Sequence, residues 1–480
     1  MRVVVLGAGV SGHTAASFLR RYLPSKHSVT VISPKSTYNW IPSNIWVGVG
    51  KMRREDVVFE LAPIYRKAGI DFILGKATAL YPEGDLGAGQ PYVKVELEDT
   101  TQVAVPFDFL VNATGPKLNF GATKGLGPEG FSYSVCTDDH AAHASEALME
   151  RIALMKRGAR QKFLVGTGHG MCTCQGAAFE YIVNLEFTLR QAGVRDKADI
   201  RWISNEFELG DFGMGGLHLK RGGYITHSKL FTESLFAERG LHWITRAHVR
   251  EVQDGRVYYE NLEGDELEEA FDFAMLLPPF TGVGLQAFDR AGGEITQELF
   301  APSGFMKVDA DYTAKPFEEW KAADWPKTYQ SKRYPRIFAT GIAFAPPHGI
   351  SRPMKNSKGT VITPSPPRTG MPSAIIGKLT ARNIAEMIKR GVEEPRYEAS
   401  MAKMGAACVA SAGASLLSGS AASMTVFPIV PDFETYPEYG RDINRTFGEI
   451  GLAGHWIKYL LHHLFIYKAK LNPGWPLIPE

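Results

Sequence analysis

The sequence predicts an α/β protein with two tandem Rossmann-like dinucleotide-binding domains, followed by a C-terminal region that lies at a membrane interface. Three observations predict this architecture. A strand, a glycine-rich loop and a helix follow one another at residues 2–22, and the same order returns at residues 161–189. A basic segment rich in aromatic residues then occupies residues 451–470.

Length and composition narrow the class of protein. A chain of 480 residues is too long for one compact core, so we expect several domains. The net charge of +2 leaves no basic excess to neutralise phosphates, which excludes a nucleic-acid partner. The expected division is a first dinucleotide-binding segment at 1–155, a second Rossmann-like domain at 156–275, a segment at 276–400 that returns to the first nucleotide fold, and a C-terminal membrane-anchoring region at 401–480.

The first glycine loop has the spacing of a dinucleotide site. Residues 2–6 read as a buried parallel strand, and Gly7-Ala8-Gly9-Val10-Ser11-Gly12 leads into a helix. Gly7 permits the tight turn, Gly9 lets the backbone approach a pyrophosphate, and Gly12 lets helix and strand pack closely. Because this fingerprint begins within the first ten residues, we expect no export signal.

Two further segments favour FAD as the nucleotide. Residues 107–115, which end in Ala-Thr114-Gly115, and residues 336–341, which end in Ala-Thr-Gly341, resemble the two FAD-binding segments of disulfide-reductase-like flavoproteins. Two acidic contacts of that pattern are missing. Ser33 stands where an acidic residue normally holds the ribose, and Ile342 replaces the Asp that holds the ribityl chain.

The second glycine loop carries cysteines. Gly166-Thr-Gly-His-Gly-Met171 follows a strand at 161–165, and Cys172 and Cys174 precede a helix at 176–189. A helix N-terminus stabilises a thiolate, so a loop that elsewhere cradles phosphate here activates sulfur. The alternatives are a degenerate nucleotide loop with incidental cysteines, and a metal site from His169, Cys172 and Cys174. That set lacks a second ligand pair, so no metal is expected.

Four blocks then give a family resemblance. They are residues 40–50 after the second strand, 134–140 around Cys136, 174–181 around Cys174, and 406–408 ending in Cys408. With these blocks the chain resembles the sulfide:quinone oxidoreductases from residue 1 to residue 470.

The resemblance implies a set of catalytic residues. Cys174 and Cys408 become the redox pair, bridged by sulfur at rest, and sulfide attacks that bridge. Glu180 becomes the proton acceptor, and Cys136 and His140 become accessories to the sulfide chemistry. Cys172 lies outside this pattern, and storing sulfur, replacing Cys174 and simple packing all stay open for it.

The resemblance also implies the FAD contacts. Arg368 stands where the family has a lysine before a helix, and its charge stabilises the reduced flavin. The cofactor-binding residues expected are Gly7, Ala8, Gly9, Gly12, Ser33, Pro42, Ser43, Asn44, Ala77, Thr114, Gly115, Gly341, Arg368, Thr369 and Gly370.

The C-terminal segment predicts how the quinone is reached. Residues 451–470 combine aromatic and aliphatic side chains with Lys458, His462, His463 and Lys468, and no acidic side chain follows Glu449 before Glu480. Such a helix lies in the plane of a bilayer surface, which predicts a peripheral, monotopic protein of the cell membrane. The expected partners are sulfide, membrane quinone and lipid. Docking of this helix on the protein or on a second copy in a homo-oligomer is the alternative.

Three rival functions remain at this stage. They are a type-II NADH:quinone oxidoreductase, a flavoprotein sulfide dehydrogenase subunit with a cytochrome acceptor, and a non-catalytic FAD redox sensor. The first needs an intact second glycine loop, where this chain has Met171 and cysteines. Two insertions are equal candidates to cap the sulfide entrance: residues 309–332, rich in Trp, Lys and Glu, and residues 346–367, rich in Pro, Ser and Gly.

Overall fold

The computed structural model describes residues 1–173, 175–413 and 419–480, and the side chain of Cys408 is also outside this description. Cys174 therefore lies outside the described residues. The helices are α1 (Val10–Tyr22), α2 (Asn44–Gly48), α3 (Leu61–Ala68), α4 (Asp138–Lys156), α5 (Gln175–Gln191), α6 (Ser228–Glu238), α7 (Thr296–Leu299), α8 (Gly370–Arg390) and α9 (Leu452–Ala469).

The strands are short and fall into several sheets. The first twelve are β1 (Arg2–Leu6), β2 (Ser28–Ser33), β3 (Thr37–Asn39), β4 (Val58–Glu60), β5 (Asp71–Tyr81), β6 (Tyr92–Leu97), β7 (Gln102–Pro106), β8 (Phe109–Asn112), β9 (Lys117–Leu118), β10 (Gln161–Thr167), β11 (Ala198–Ile203) and β12 (His218–Arg221). The others are β13 (Tyr224–His227), β14 (His242–Ile244), β15 (His248–Gln253), β16 (Arg256–Glu260), β17 (Glu266–Ala270), β18 (Phe273–Leu277), β19 (Phe280–Thr281), β20 (Gln286–Ala287), β21 (Ile337–Ala339), β22 (Ala406–Ala412), β23 (Ser420–Val426) and β24 (Phe447–Gly451).

The largest sheet has the order β21-β8-β1-β2-β5-β6-β7, with β20 also beside β5. Its parallel half is built from apolar runs such as Val3–Val5, which are buried on both faces. Strand β21 returns to this sheet after more than 200 residues and pairs with β8, with Ile337 opposite Leu110. Helices α1 and α8 share one core beneath it.

A second, wholly parallel sheet has the order β14-β11-β10-β18. Helix α5 follows β10, as the second glycine loop predicts, and the antiparallel strands β15, β16 and β17 lie beside this unit. Two Rossmann-like sheets are therefore present, and the predicted fold class is confirmed.

The C-terminal region builds a five-stranded sheet with the order β13-β12-β24-β23-β22. Two of its strands, β12 and β13, come from the middle of the chain, and the other three come from the last 75 residues. Helix α9 packs on β22, β23 and β24. Within the part of the chain that the structure describes, no helix is long and apolar enough to cross a membrane.

Candidate functional site

The first glycine loop has the geometry of a dinucleotide site. Gly7 has a φ of +97°, and a Cβ added there would overlap the Ala113 carbonyl. A Cβ on Gly12 would strike the Gly7 carbonyl oxygen, whereas a Cβ on Gly9 would meet nothing within 4 Å. Helix and strand therefore pack through Gly7 and Gly12, and the open space lies at Gly9, where a pyrophosphate needs the backbone bare.

The returning segment brings two helix N-termini together. Gly341 adopts a φ of +65°, and a Cβ there would lie 2.6 Å from Ser11 Cβ. Ser11 also hydrogen-bonds Thr340 through its hydroxyl. A Cβ on Gly370, the first residue of α8, would lie 3.8 Å from Pro42 Cγ. Residues expected at the cofactor from four separate segments thus meet at the start of α1 and α8.

Arg368 holds this region in place. Its guanidinium donates hydrogen bonds to the carbonyl oxygens of Ile342 at 3.0 Å and Phe344 at 3.1 Å. Thr369 is the N-cap residue of α8. The cation is therefore tied to the segment where the expected Asp is replaced by Ile342.

The other residues expected at the cofactor differ in how far they are available to bind it. The Ser33 hydroxyl donates to Lys35 O at 2.9 Å, so it is committed to a local turn. Thr114 Oγ1 donates to Asn112 Oδ1 at 2.8 Å, and Gly115, with a φ of +69°, borders open space. Ala77 lies at a bulge in β5, where the register with β6 shifts.

The residues after β3 connect to the cysteine block and to α9. Asn44 Nδ2 donates to the carbonyl of Val135, the residue before Cys136, at 3.3 Å. Ser43 Oγ lies 2.8 Å from His462 Nδ1. Cys136 is half-buried, and its N–H donates to Ser134 Oγ at 3.1 Å. The first-cysteine block therefore adjoins the expected flavin-side loop.

His140 lies in the first turn of α4, where its N–H donates to the N-cap residue Thr137. Its ring packs edge-to-face on Phe120 at 5.7 Å. Burial lowers the pKa of His140, and the Asp139 carboxylate only partly opposes this. The imidazole is therefore neutral near physiological pH.

Helix α5 and strand β22 are hydrogen-bonded side by side. Glu180 Oε1 accepts from Ser411 N–H at 3.2 Å, and Asn184 Oδ1 accepts from Gly413 N–H at 3.0 Å. Residue numbers therefore increase in the same direction along both elements, from Glu180 to Asn184 in the helix and from Ser411 to Gly413 beside it. Helix and strand run in the same direction, with the α5 N-terminus toward the Cys408 end of β22.

Glu180 forms a buried ion pair that the sequence did not predict. Its carboxylate pairs with the ammonium of Lys458 on α9, whose side chain is 12% exposed. Lys458 also donates to Val409 O at 3.2 Å, beside Cys408 in the chain. Burial raises the pKa of Glu180, and Lys458 opposes that shift. The predicted proton acceptor is thus buried, and its only described cation partner lies on the C-terminal helix.

Helix α9 turns a polar face inward. His455, Lys458 and His462 recur at helical spacing on one side and surround the indole of Trp46. Burial lowers the pKa of His462 to about 4. Lys458, His462 and Lys468 were counted among the cations expected at lipid, and that part of the expectation is wrong because all three side chains face the protein.

The opposite side of α9 is apolar and exposed. Trp456, Ile457 and Leu460 are 47%, 55% and 57% exposed. The inner face of α9 therefore docks on the protein, as the alternative expectation has it. The outer face remains open to solvent, so the expectation of lipid contact concerns that face alone.

The second glycine loop is covered by the chain's own loop. Thr363 N–H donates to Gly170 O at 2.8 Å, and Ser365 N–H donates to Cys172 O at 3.0 Å. A Cβ on Gly170 would strike the Val361 carbonyl. Residues 361–366 therefore lie across the loop where a second nucleotide would bind.

Cys172 is fully buried, and its thiol donates to the Leu277 carbonyl at 3.1 Å. Of the three roles left open for it, this environment favours packing. His169 lies against the ring of His248, and burial lowers the pKa of His169 to about 4. Across residues 1–173, 175–413 and 419–480, no three potential metal ligands come together.

A buried polar cluster after β11 was missed in the sequence. Glu206 accepts from Phe212 N–H and from Ser204 Oγ, both at 2.8 Å. Burial and the nearby Asp211 raise the pKa of Glu206 to about 7. Asp211 in turn faces the buried guanidinium of Arg441. The acid at the end of β11 is therefore used internally and is not free to hold a nucleotide ribose.

Known proteins were compared with this chain. No family model matches it. It is 29% identical over 470 residues to the sulfide-quinone reductase of Aquifex aeolicus (strain VF5), across 98% of this chain and 91% of that protein. It is 26% identical over 203 residues to the mitochondrial sulfide:quinone oxidoreductase of Dictyostelium discoideum, across 42% of each chain.

A solved structure agrees with these relatives. The X-ray structure of the sulfide:quinone oxidoreductase from Aquifex aeolicus superposes with a TM-score of 0.76 and 26% identity, covering 99% of this chain and 93% of that one. The resemblance predicted from the four sequence blocks is therefore confirmed.

Proposed function

We infer that this chain, a homologue of the sulfide:quinone oxidoreductases, is itself a sulfide:quinone oxidoreductase. It oxidises sulfide to polysulfide or sulfane sulfur through a cysteine pair and passes the electrons through FAD to a membrane quinone. The observation that carries this is the alignment of α5 with β22, because Cys408 belongs to β22 and Cys174 directly precedes α5 in the sequence.

Helix and strand geometry supports the pairing of Cys174 with Cys408. From Ser411 back to Cys408 the strand covers about 10 Å, at about 3.3 Å per residue. From Glu180 back to Gln175 the helix covers about 7.5 Å, at 1.5 Å per residue. Because Ser411 lies against Glu180, the backbone of Cys408 lies near the level of the first residue of α5. Cys174 precedes that residue in the sequence.

The residues of the first sheet fit FAD. The open space at Gly9, the close contacts at Gly7 and Gly12, and the meeting of Gly341 with Ser11 match the needs of a dinucleotide between two helix N-termini. FAD supplies a two-electron acceptor there. Arg368 would place positive charge near the reduced cofactor. The adenosine ribose would rely on backbone groups, because the Ser33 hydroxyl is committed to Lys35.

The sulfur chemistry needs one bond exchange and one proton acceptor. Hydrosulfide attacks a sulfur of the Cys174–Cys408 bridge, so one S–S bond forms, one breaks, and a persulfide and a thiolate result. The hydrosulfide proton goes to Glu180, whose raised pKa makes it a better base than an exposed carboxylate. The bridge closes again through the persulfide sulfur when the persulfide and the thiolate together give up two electrons, for which bound FAD would supply the acceptor, so each sulfide becomes sulfane sulfur held between the two cysteines.

Lys458 would connect this site to the membrane side of the protein. It pairs with Glu180 from α9, whose outer face carries Trp456, Ile457 and Leu460. Those side chains suit the headgroup region of a bilayer, which makes the protein a peripheral, monotopic one.

The covered second glycine loop disfavours the NADH rival. Residues 361–366 lie where NADH would bind, and both named relatives act on sulfide. Replacing Cys408 by Ser is expected to abolish sulfide-driven quinone reduction. Replacing Cys172 by Ser is the matched control and is expected to keep it, because the Cys172 thiol points at Leu277 O. A Cys408→Ser variant with the native rate would contradict the proposed pair.

A further inference from the structure

One face of the five-stranded sheet is only partly covered by α9. A Cβ on Gly454 of α9 would lie 3.1 Å from Ala421 Cβ and 3.2 Å from Ser423 Oγ, so these β23 residues face the helix. Thr425, two residues further on, shares that face and lies opposite Phe447 of β24. Phe447 therefore points to the same side of the sheet as α9.

The neighbouring hairpin extends this face. Lys220 of β12 pairs with Phe447, and Ile225 of β13 lies opposite Lys220. Directly paired residues share one side of a sheet, so all three belong to the α9 side. Phe447 is 42% exposed and Ile225 is 45% exposed. Phe447 and Ile225 thus form an exposed apolar strip on the sheet, on the side where α9 packs.

The hairpin tip points toward the start of α9. Strand β12 runs parallel to β24, and β24 leads directly into α9. The Gly222-Gly223 turn at the end of β12 therefore lies at the same end of the sheet as the first residues of that helix. Tyr224, which follows the turn, pairs with Arg221 and therefore lies on the other side of the sheet from Ile225.

We propose that Ile225 and Phe447 form a second lipid-contacting surface, which enters the headgroup region of a bilayer beside α9. This inference rests on the proposed quinone function, because it deepens how the protein reaches the membrane. Lys220 and Glu449 lie on the same face and carry opposite charges, so this face has no net charge to attract anionic lipid. The contact is therefore driven by burial of apolar area. Contact at both the helix and the hairpin fixes the orientation of the protein on the bilayer. Contact through α9 alone would let the protein rotate about the helix axis.

Vesicle partitioning of the full-length FAD-loaded protein tests this surface. The double variant Ile225→Asp/Phe447→Asp is compared with Leu267→Asp, a matched control on β17 that is 42% exposed. On vesicles of phosphatidylcholine alone, we expect the double variant to partition about tenfold more weakly at any salt concentration. We expect the control to partition like the native chain, and both variants to keep native flavin reduction by sulfide in solution.

Two results would overturn the inference. The first is native vesicle partitioning of the double variant while Ile457→Asp/Leu460→Asp loses binding. The second is a double variant that dissociates a native oligomer without changing vesicle partitioning, which would make the strip a contact between copies. Vesicle partitioning is measured without turnover, so the two tests are separate. If sulfide failed to reduce the flavin of the native protein, the proposed function would be refuted, and the partitioning result would still decide the lipid-contacting surface.

Discussion

Glu180→Gln is the substitution that separates chemistry from structure in the candidate site. Glutamine has nearly the same shape and can still accept the Ser411 N–H, but it cannot take a proton. It also leaves the Lys458 ammonium without its carboxylate in a largely buried position. The substitution therefore removes a base and leaves the Lys458 ammonium without a counter-charge.

The two losses have different sizes. Removing one partner of a buried ion pair costs about 3–5 kcal/mol of unfolding free energy. Because Lys458 keeps its bond to Val409 O at 3.2 Å, we expect the low end, about 3 kcal/mol. Loss of a general base lowers the rate of the step it serves by roughly 100- to 10,000-fold.

Rapid mixing with sulfide measures the chemical loss. The oxidised variant is mixed anaerobically with sulfide, and the decay of flavin absorbance gives the reduction rate. In the native protein this rate is expected to fall as the pH drops through the pKa of Glu180, which burial places above its usual 4.5. The glutamine variant is expected to lose that pH dependence.

A second variant controls for the stranded charge. Glu180→Gln/Lys458→Met removes both charges, so its stability is expected to recover while sulfide still reduces the flavin slowly. Native-rate flavin reduction in Glu180→Gln would refute the assignment of the base. Recovery of the rate in the double variant would refute it as well, since the stranded ammonium would then explain the loss.

Two further predictions concern binding and stability. Gly12→Ala is expected to lower both flavin content and melting temperature, because its Cβ strikes the Gly7 carbonyl, whereas Gly9→Ala is expected to lower flavin content alone. Flavin absorbance measures the first quantity and thermal melts measure the second. Equal drops of melting temperature in the two variants would contradict this prediction. Glu206 has a folded pKa of about 7 against 4.5 unfolded, so its contribution to stability is fully present below about pH 4.5 and lost as the pH rises through about 7. Urea unfolding should show that Glu206→Gln removes roughly 3 kcal/mol of this pH-dependent loss, and an unchanged pH profile would contradict the burial argument.

The fold was predictable because its signals are local. The strand at 2–6 and the Gly7–Gly12 loop appear where the sequence predicts them, and the first helix begins at Val10 because the last glycine belongs to its first turn. Helix α8 ends at the C-cap residue Gly391, which adopts the left-handed conformation that favours glycine at this position. Alternating apolar residues and glycine spacing carry this information within a few residues.

The connections within the site were not predictable in the same way. Lys458 lies 278 residues from Glu180 in sequence, and a lysine in an aromatic helix has the same pattern whether it faces lipid or a buried carboxylate. The spacing of His455, Lys458 and His462 on one helix face was the available signal, but it does not name the partner. The cover over Gly170 by residues 361–366 likewise depends on backbone contacts that leave no sequence pattern.

The most direct test is an anaerobic titration of the oxidised, FAD-loaded protein, first with sulfide and separately with NADH. The flavin absorbance near its visible maximum reports electron arrival in both cases. Sulfide is expected to bleach the flavin, and NADH is expected to leave it oxidised because residues 361–366 cover the second glycine loop. Bleaching by NADH with no response to sulfide would contradict the account.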